Sequence, residues 1–330
     1  MKPIVDYAKV FETLVQKTQD YLQENSLKSM ILGISGGIDS TVVAAICHEV
    51  SRRTGIHLIG RSLPTKFNKE GETTTADLVG KAFCTDYKEV NLDLTYRKLA
   101  YDIAFPEGFI DYSGPFDFDK KIPKQTVLAN GNIQARLRMI YLYNLASIHR
   151  GLVMDTDNLT ENNLGYFTIH GDVGDFNPIG CLWKTEVFEL AKYLADYYKN
   201  ISHVHSNPEL ILENLNKSEA IAESLKLKPT AGLGITNNDL EELGADSYEQ
   251  VDYILQEIVA WKWVSLEYRK DKYDSIEEMQ EAFLEEQAMY DTPIKVIVNI
   301  TKRHFSSEFK RKQLPIKIGR EEITQNKIVQ

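Results

Sequence analysis

"SMILGISGGIDSTVVAAIC", residues 29–47, decides how the chain is read. An apolar run stops at glycine, a turn of Ser, Gly and Asp follows, and a second apolar stretch begins. A short continuous apolar run reads as a strand buried on both faces, as in a parallel sheet. A strand that ends in a glycine-rich turn and opens a helix presents several backbone N–H groups in one concavity, beside the positive helix end. That geometry binds phosphate oxygens. Gly36 and Gly37 are expected to let the backbone approach a ligand closely. Ser35, Ser40 and Thr41 can add hydroxyl donors. A bare Gly-Gly would amount to a tight turn with a Ser or Asp cap, but the string S-G-G-x-D-S is rarer. No Gly-Lys-Ser/Thr follows it, so it is not a Walker A loop, and G-x-G-x-x-G is absent. Asp39 is the odd member. A carboxylate among phosphates is repulsive unless a cation lies between them, so Asp39 is expected to ligate Mg²⁺.

Working outward, residues 4–25 repeat apolar side chains at helical spacing (Val5, Ala8, Phe11, Val15), and "STVVAAICHEVSRR" predicts a helix ending near Gly55. "IHLIGRSLP" and "YKEVNL" read as strands around a helix at "GETTTADLVGKAFC". Residues 106–129 contain Pro and Gly and read as a long functional loop. "NGNIQARLRMIYLYNLASIHR" predicts a helix, "GLVMDT" a fourth strand and "KTEVFELAKYLADYYK" a further helix. Strand and helix alternate to about residue 200. This is the pattern of an α/β fold, a doubly wound parallel sheet with helices on both faces. Ligands in such sheets sit at the carboxyl ends of the strands, where residues 33–40 fall. Beyond about 205 the texture changes. "KPTAGLGITNNDLEELG" is loop-like, about 245–290 reads as a longer acidic and aromatic helical segment, and "SSEFKRKQLPIKIG" is basic. The 330 residues are read as a single domain with a helical C-terminal extension.

Composition narrows the class. Hydrophobic content of 43% and charged content of 26% are those of a soluble globular chain. No apolar run approaches the length of a membrane span, and the amphipathic start is no signal peptide. Cys47, Cys84 and Cys181 lie far apart, without metal-ligand spacing, and read as free thiols in a reducing cytoplasm. A formal charge of −10 argues against general nucleic-acid binding. An anionic substrate would then need a locally basic pocket. His203 and His205 in "SHVHS" read as exposed turn residues rather than a metal site.

The string S35-G36-G37-I38-D39-S40 resembles the pyrophosphatase loop of enzymes that cleave ATP between its α and β phosphates. "GNIQARLRM" (131–139), "DTDNLTENNLGYFTIHGDVGDFNPIG" (155–180), "LWKTE" (182–186), "KPTAGL" (228–233) and "SEFKRKQLP" (307–315) follow in the order and spacing of the ammonia-dependent NAD synthetases. The resemblance covers about residues 26–317. It implies an adenine nucleotide alpha hydrolase-like fold and a homodimer. The implied reaction converts deamido-NAD, ATP and ammonia to NAD, AMP and pyrophosphate through an acyl-adenylate. By the same resemblance Gly33, Ile34, Ser35, Gly36, Gly37, Ile38, Asp39 and Ser40 cradle ATP, with Thr156, Lys184 and Thr230. Asp39 and Lys184 are the catalytic pair, and Asp39 with Glu161 holds Mg²⁺. Arg136, His170, Asp175 and Lys310 contact deamido-NAD, Asp175 by an alignment that needs a one-residue gap. A lysine heading a helix is disfavoured by the dipole unless an anion is near, which adds physical weight to Lys184. Arg138, two residues beyond Arg136, points elsewhere on its helix and reads as structural.

Two positions depart from the family's pattern. Ile169 stands where a lysine is common, followed by His170, and Phe309 stands where a histidine is common. Both fall in the dinucleotide part, which leaves nicotinate mononucleotide as the alternative acid. The segment near 255–290 is longer than usual and has no assigned role. Other enzymes with the same loop, acting in tRNA thiolation, GMP synthesis or argininosuccinate synthesis, are the first rival. The chain shows neither the basic surface nor the paired cysteines of a tRNA enzyme. A non-catalytic nucleotide sensor is the second, and Asp39, Glu161 and Lys184 together speak against it. Only about 29 residues precede the first strand, too few for a glutamine amidase domain, so ammonium is the expected nitrogen source.

Overall fold

The computed structural model describes residues 4–65, 70–104, 124–227, 239–268, 278, 293–311, 316–317 and 319. Helix α1 (Tyr7–Glu24) starts at Asp6, whose side chain accepts from Lys9 N. Strand β1 (Ser29–Gly33) leads through the glycine turn into α2 (Ile38–Thr54), which stops at Gly55 in the left-handed conformation. There follow β2 (His57–Ser62), α3 (Glu70–Phe83), β3 (Asp86–Glu89), α4 (Asp93–Ala104), α5 (Lys124–His149) and β4 (Gly151–Met154). Next come α6 (Leu159–Leu164), β5 (Phe176–Asn177), α7 (Lys184–Ser202), α8 (Pro208–Lys226), α9 (Asp239–Leu243) and α10 (Tyr248–Tyr268). The last elements are α11 (Ile294–Ser306), α12 (Glu308–Arg311) and β6 (Ile316–Lys317).

The strands form one parallel sheet in the order β3-β2-β1-β4-β5-β6. Period-two alternation in β1 explains its unbroken apolar sequence. Met30 and Leu32 face a core shared with α1, α2, α3, α7 and α8, while Ile31 faces the opposite core shared with α4 and α5. A third cluster, built from Trp183 and the inner faces of α6, α9, α10 and α11, lies at the carboxyl end of the sheet. The strand order reverses between β1 and β4. A crevice is therefore left where the loops after these two strands diverge.

The expected doubly wound sheet is present, with differences in detail. Helix α5 begins at Lys124, so the end of the expected loop 106–129 is helical, and residues 105–123 lie outside the description. The sequence reading has no element at α4 or α8. Both have legible signals: Tyr96 and Ala100 bury one face of α4 with Leu92 just ahead of it, and Asn207 caps α8 ahead of Pro208. Strands β5 and β6 have two residues each, too few to carry a periodic pattern. Helix α10 covers the first part of the expected long helical segment. "KPTAGL", with Thr230, lies outside the described residues.

Candidate active site

A cavity of about 320 Å³ opens at the carboxyl ends of β1, β2 and β4. Gly33, Ile34, Ser35, Gly37, Ile38 and Asp39 line it from the β1–α2 turn, Thr156 and Glu161 from the segment after β4, and Lys184 from the head of α7. These are most of the residues expected to meet ATP. Gly36 and Ser40 turn away. Gly36 has φ +85, and a Cβ there would stand 2.4 Å from Glu72 O and 2.9 Å from Ala76 N, backbone atoms of α3. Its glycine is required by packing rather than by close approach of a ligand. Ser40 donates to Gly37 O at 3.0 Å, and Thr41 donates to the same oxygen at 2.9 Å while meeting Ser224 Oγ at 2.7 Å. Their hydroxyls brace the turn from inside. Ser35 Oγ accepts from Gly37 N at 3.1 Å.

Three charged groups meet at the rim. Lys184 Nζ lies 2.5 Å from Asp39 Oδ2 and 3.1 Å from Glu161 Oε1. Lys184 is 2% exposed although it heads a helix; the two anions answer the dipole penalty. Burial works against its charge, but Asp39 and Glu161 outweigh that and hold its pKa well above the ordinary lysine value. Burial, with Asp39 beside it, pushes the Glu161 carboxyl up to about 7. Glu161 combines two roles. Its Oε2 accepts from Asn158 N at 3.1 Å while Asn158 Oδ1 accepts from Glu161 N at 3.0 Å, a capping box on α6. Its Oε1 is left to face Lys184. Asn158 also donates Nδ2 to Asp39 Oδ1 at 2.9 Å, so one side chain orients both acids. Sequence reasoning missed Asn158, although its N-x-x-E spacing to Glu161 is the signal that could find it.

The two carboxylates suit a small hard cation that keeps most of its coordination for water and phosphate oxygens, as Mg²⁺ does. Among the described residues there is no group of three or more His, Cys, Asp or Glu side chains able to hold a metal by themselves.

A second cavity of about 530 Å³ adjoins the first across Met139 of α5, which borders both. Arg136, Tyr143, Phe167, Ile169 and His170 line it. His170 takes φ +60, and this turn brings it to the same cavity as its neighbour Ile169, which an extended run would not do. Arg136 donates Nε to Ile169 O at 3.3 Å and is otherwise exposed. Arg138, expected to be structural, is bonded within the fold and also borders a cavity. It lines the first cavity, with Nε donating to Leu63 O at 3.0 Å. Arg61 lines the same cavity from β2 and is paired with Asp86 at 2.8 Å. A charged residue inside an apolar strand was its sequence signal.

Two of the expected dinucleotide contacts are engaged elsewhere. Asp175 lines neither cavity; its Oδ2 accepts from Val153 N at 2.9 Å and its Oδ1 from Tyr143 Oη at 3.1 Å. Asp172, three residues earlier, lines the first cavity instead. Lys310 donates to Gly165 O at 2.8 Å and Phe167 O at 2.6 Å. With Arg303 on Leu164 O and Arg311 on Asn163 O, it ties down the negative end of α6. Lys310 and Arg311 of the basic C-terminal segment thus meet protein carbonyls. Phe309, beside it, is 59% exposed.

The family described as NAD synthase matches residues 10–314. An NH(3)-dependent NAD(+) synthetase of Methanococcoides burtonii is 32% identical over 240 residues, 72% of this chain and 75% of that one. One from Campylobacter jejuni is 30% identical over 249 residues, 75% and 82% of the two chains. The solved structure of NMN synthetase from Francisella tularensis shares the fold, with TM-score 0.65 and 23% identity over 93% of this chain and 97% of that one.

Proposed function

The chain belongs to the NAD synthase family, an ATP-dependent carbon–nitrogen ligase family, and from that premise we propose how its residues carry out the amidation of deamido-NAD by ammonia. A carboxylate is a poor electrophile. Its attack on the α-phosphorus of ATP expels pyrophosphate and gives an acyl-adenylate, from which ammonia displaces AMP. The chain's share is positioning and charge stabilisation. Backbone N–H groups of the β1–α2 turn hold the phosphates, with Thr156 and Thr230 on the nucleotide. Lys184 moves from its two carboxylates onto phosphate oxygen once ATP is bound. Asp39 and Glu161 would hold Mg²⁺, which would supply positive charge beside the departing pyrophosphate.

The observation that carries this reading is Lys184 Nζ within 3.1 Å of both Asp39 and Glu161, at the mouth of the glycine turn. Arg136, with His170 beside it, serves the acid in the second cavity, whose junction with the first at Met139 suits attack of one substrate on the other. Asp175 and Lys310 act on that acid by holding β4, Tyr143 and the loop after α6. The parts work as a single domain. Ile140 and Tyr143, exposed along α5 at the second cavity, with Ile148 exposed further along the helix, support a homodimer formed there. Three free cysteines support a cytoplasmic setting. No described helix is long and apolar enough to cross a membrane.

The test is incubation of the pure protein with ATP, Mg²⁺, ammonium and deamido-NAD, followed by AMP and NAD. Asp39→Asn and Glu161→Gln should each lower turnover by about two orders of magnitude or more while the fold persists. Near-wild-type turnover of Glu161→Gln at limiting Mg²⁺ would remove that residue from the metal site. With Ile169 in place of a lysine, Arg136 is the one fixed cation lining the second cavity among the described residues, and this favours nicotinate mononucleotide as the second reading. Comparing kcat/KM for both acids decides it. A preference of at least about tenfold, about 1.4 kcal/mol, is expected for deamido-NAD, partly lost in His170→Ala.

A further inference from the structure

Helix α10 reaches the active site from behind. Asp252 in its second turn is 2% exposed. Its Oδ2 accepts from Thr185 N at 2.9 Å, and its Oδ1 accepts the hydroxyl of Thr160. Thr160 Oγ1 in turn accepts from Lys184 N at 2.8 Å. Lys184 and Thr185 open α7, and Thr160 immediately precedes Glu161 on α6. One carboxylate is therefore bonded, directly or through a single hydroxyl, to the backbone of the active-site lysine and to the helix that carries Glu161. The Tyr248 ring, one turn earlier on α10, lies 5.7 Å from Lys184 Nζ.

Packing alone does not call for an acid here. Val251, Leu255 and Ile258 already anchor α10 in the apolar cluster around Trp183, and an ionised carboxylate in such a place is costly. Burial pushes Asp252 up to about 6 even with its bonds to Thr160 and Thr185 opposing. What the acid supplies is direction. It satisfies Thr185 N in the first turn of α7 and, through Thr160, orients the acceptor of Lys184 N, and so sets the distance between α6 and α7, on which the meeting of Lys184 with Glu161 depends.

We propose that Asp252 is a positioning residue for the amidation reaction, fixing Lys184 and Glu161 relative to each other through Thr185 and Thr160 without touching substrate. The proposal rests on the reading of Lys184 and Glu161 as working groups. Asp252→Asn retains an acceptor for Thr185 N but reverses the polarity of the Thr160 contact. Thr160→Val removes the hydroxyl at nearly constant volume, and Thr160→Ser keeps it. For each full-length variant, kcat for AMP release, KM for ATP and Tm are measured with saturating Mg²⁺, ammonium and deamido-NAD. The expected result is a kcat lowered at least about tenfold in Asp252→Asn and Thr160→Val, with ATP KM within about threefold of wild type. The Tm of Asp252→Asn should equal or exceed wild type, because the costly charge is gone, and Thr160→Ser should stay within about threefold of wild-type kcat. In a Lys184→Arg background Asp252→Asn should cost far less than in wild type, since the group it positions is already displaced. A kcat of Asp252→Asn within about twofold of wild type overturns the proposal. So does full additivity with Lys184→Arg, or activity that merely follows falling Tm in both Asp252→Asn and Thr160→Val. A wild-type chain without amidation activity overturns the underlying reaction as well, whereas an active wild type with an inert Asp252 overturns the positioning role alone.

Discussion

Replacing Gly36 and Gly37 one at a time with alanine separates the two glycines of the β1–α2 turn. At Gly36, φ is +85 and the new Cβ would lie 2.4 Å from Glu72 O and 2.9 Å from Ala76 N. Both atoms belong to the backbone of α3, so no side chain can swing aside. The left-handed conformation costs an alanine about 1–2 kcal/mol. Displacing α3 adds about 1–3 kcal/mol, the usual range for an overpacked site. The loss is therefore roughly 2–5 kcal/mol. Unfolding entropy of about 2.1 cal/mol/K per residue over 330 residues gives about 0.7 kcal/mol/K, so Tm should fall by roughly 3–7 °C. Gly37, the N-cap of α2, has φ −69 and ψ 159, which any residue adopts, and its Cβ would meet only Ser35 Oγ at 3.3 Å. Its Tm should move by no more than about 1 °C. Gly37 lines the cavity, however, and a methyl there stands on the path proposed for the ATP phosphates, so KM for ATP should rise about tenfold. Thermal unfolding by circular dichroism and ATP titrations of both variants provide the readout. A Gly36→Ala protein with wild-type Tm would refute the α3 contact. A Gly37→Ala protein that loses more Tm than Gly36→Ala would refute the division of roles.

Three further outcomes are expected. Ammonium should support turnover and glutamine should not, because no cysteine of the chain is poised as an amidase nucleophile: Cys47 and Cys181 are buried, and burial pushes the Cys84 thiol up to about 12; glutamine-dependent NAD formation by pure protein would contradict this. His48 on α2 is held below the ordinary histidine value by burial and by Lys217, against Phe83 O, Glu213 and Glu49. The unfolded chain therefore takes up the proton first, and stability present above about pH 6.5 is lost as pH falls below it; urea midpoints across that range should fall less steeply in His48→Gln, and an unchanged slope counts against the assignment. Lys310→Met frees the carbonyls of Gly165 and Phe167, so KM for the acid should rise more than KM for ATP; an equal rise in both would remove Lys310 from the acid's site, and a larger rise for ATP would assign it to the nucleotide.

The sequence by itself determined the parallel α/β sheet. Its signals are local: Met30, Ile31 and Leu32 form a run that only a strand covered on both faces can bury, and Gly55 ends α2 without help from elsewhere. The resemblance carried by S-G-G-x-D-S and the later motifs fixed on Asp39, Glu161 and Lys184, and the fold brings those three together from residues up to 145 positions apart. Other features depended on tertiary contacts that no local pattern encodes. Gly36 answers to the backbone of α3, Lys310 and Arg311 to the end of α6, and Asp252 to the head of α7. The same basic run could serve a phosphate or a helix C-terminus, since both present oxygen acceptors to a cation. Which of them it meets is set by where the chain returns, and α11 and α12 bring it back against α6. His170 shows the limit most plainly. In an extended run it would point away from Ile169, and the left-handed turn, with Arg136 bonded to Ile169 O, puts both on one cavity wall. Period and propensity read a residue's neighbours along the chain, whereas a site is made by its neighbours in space.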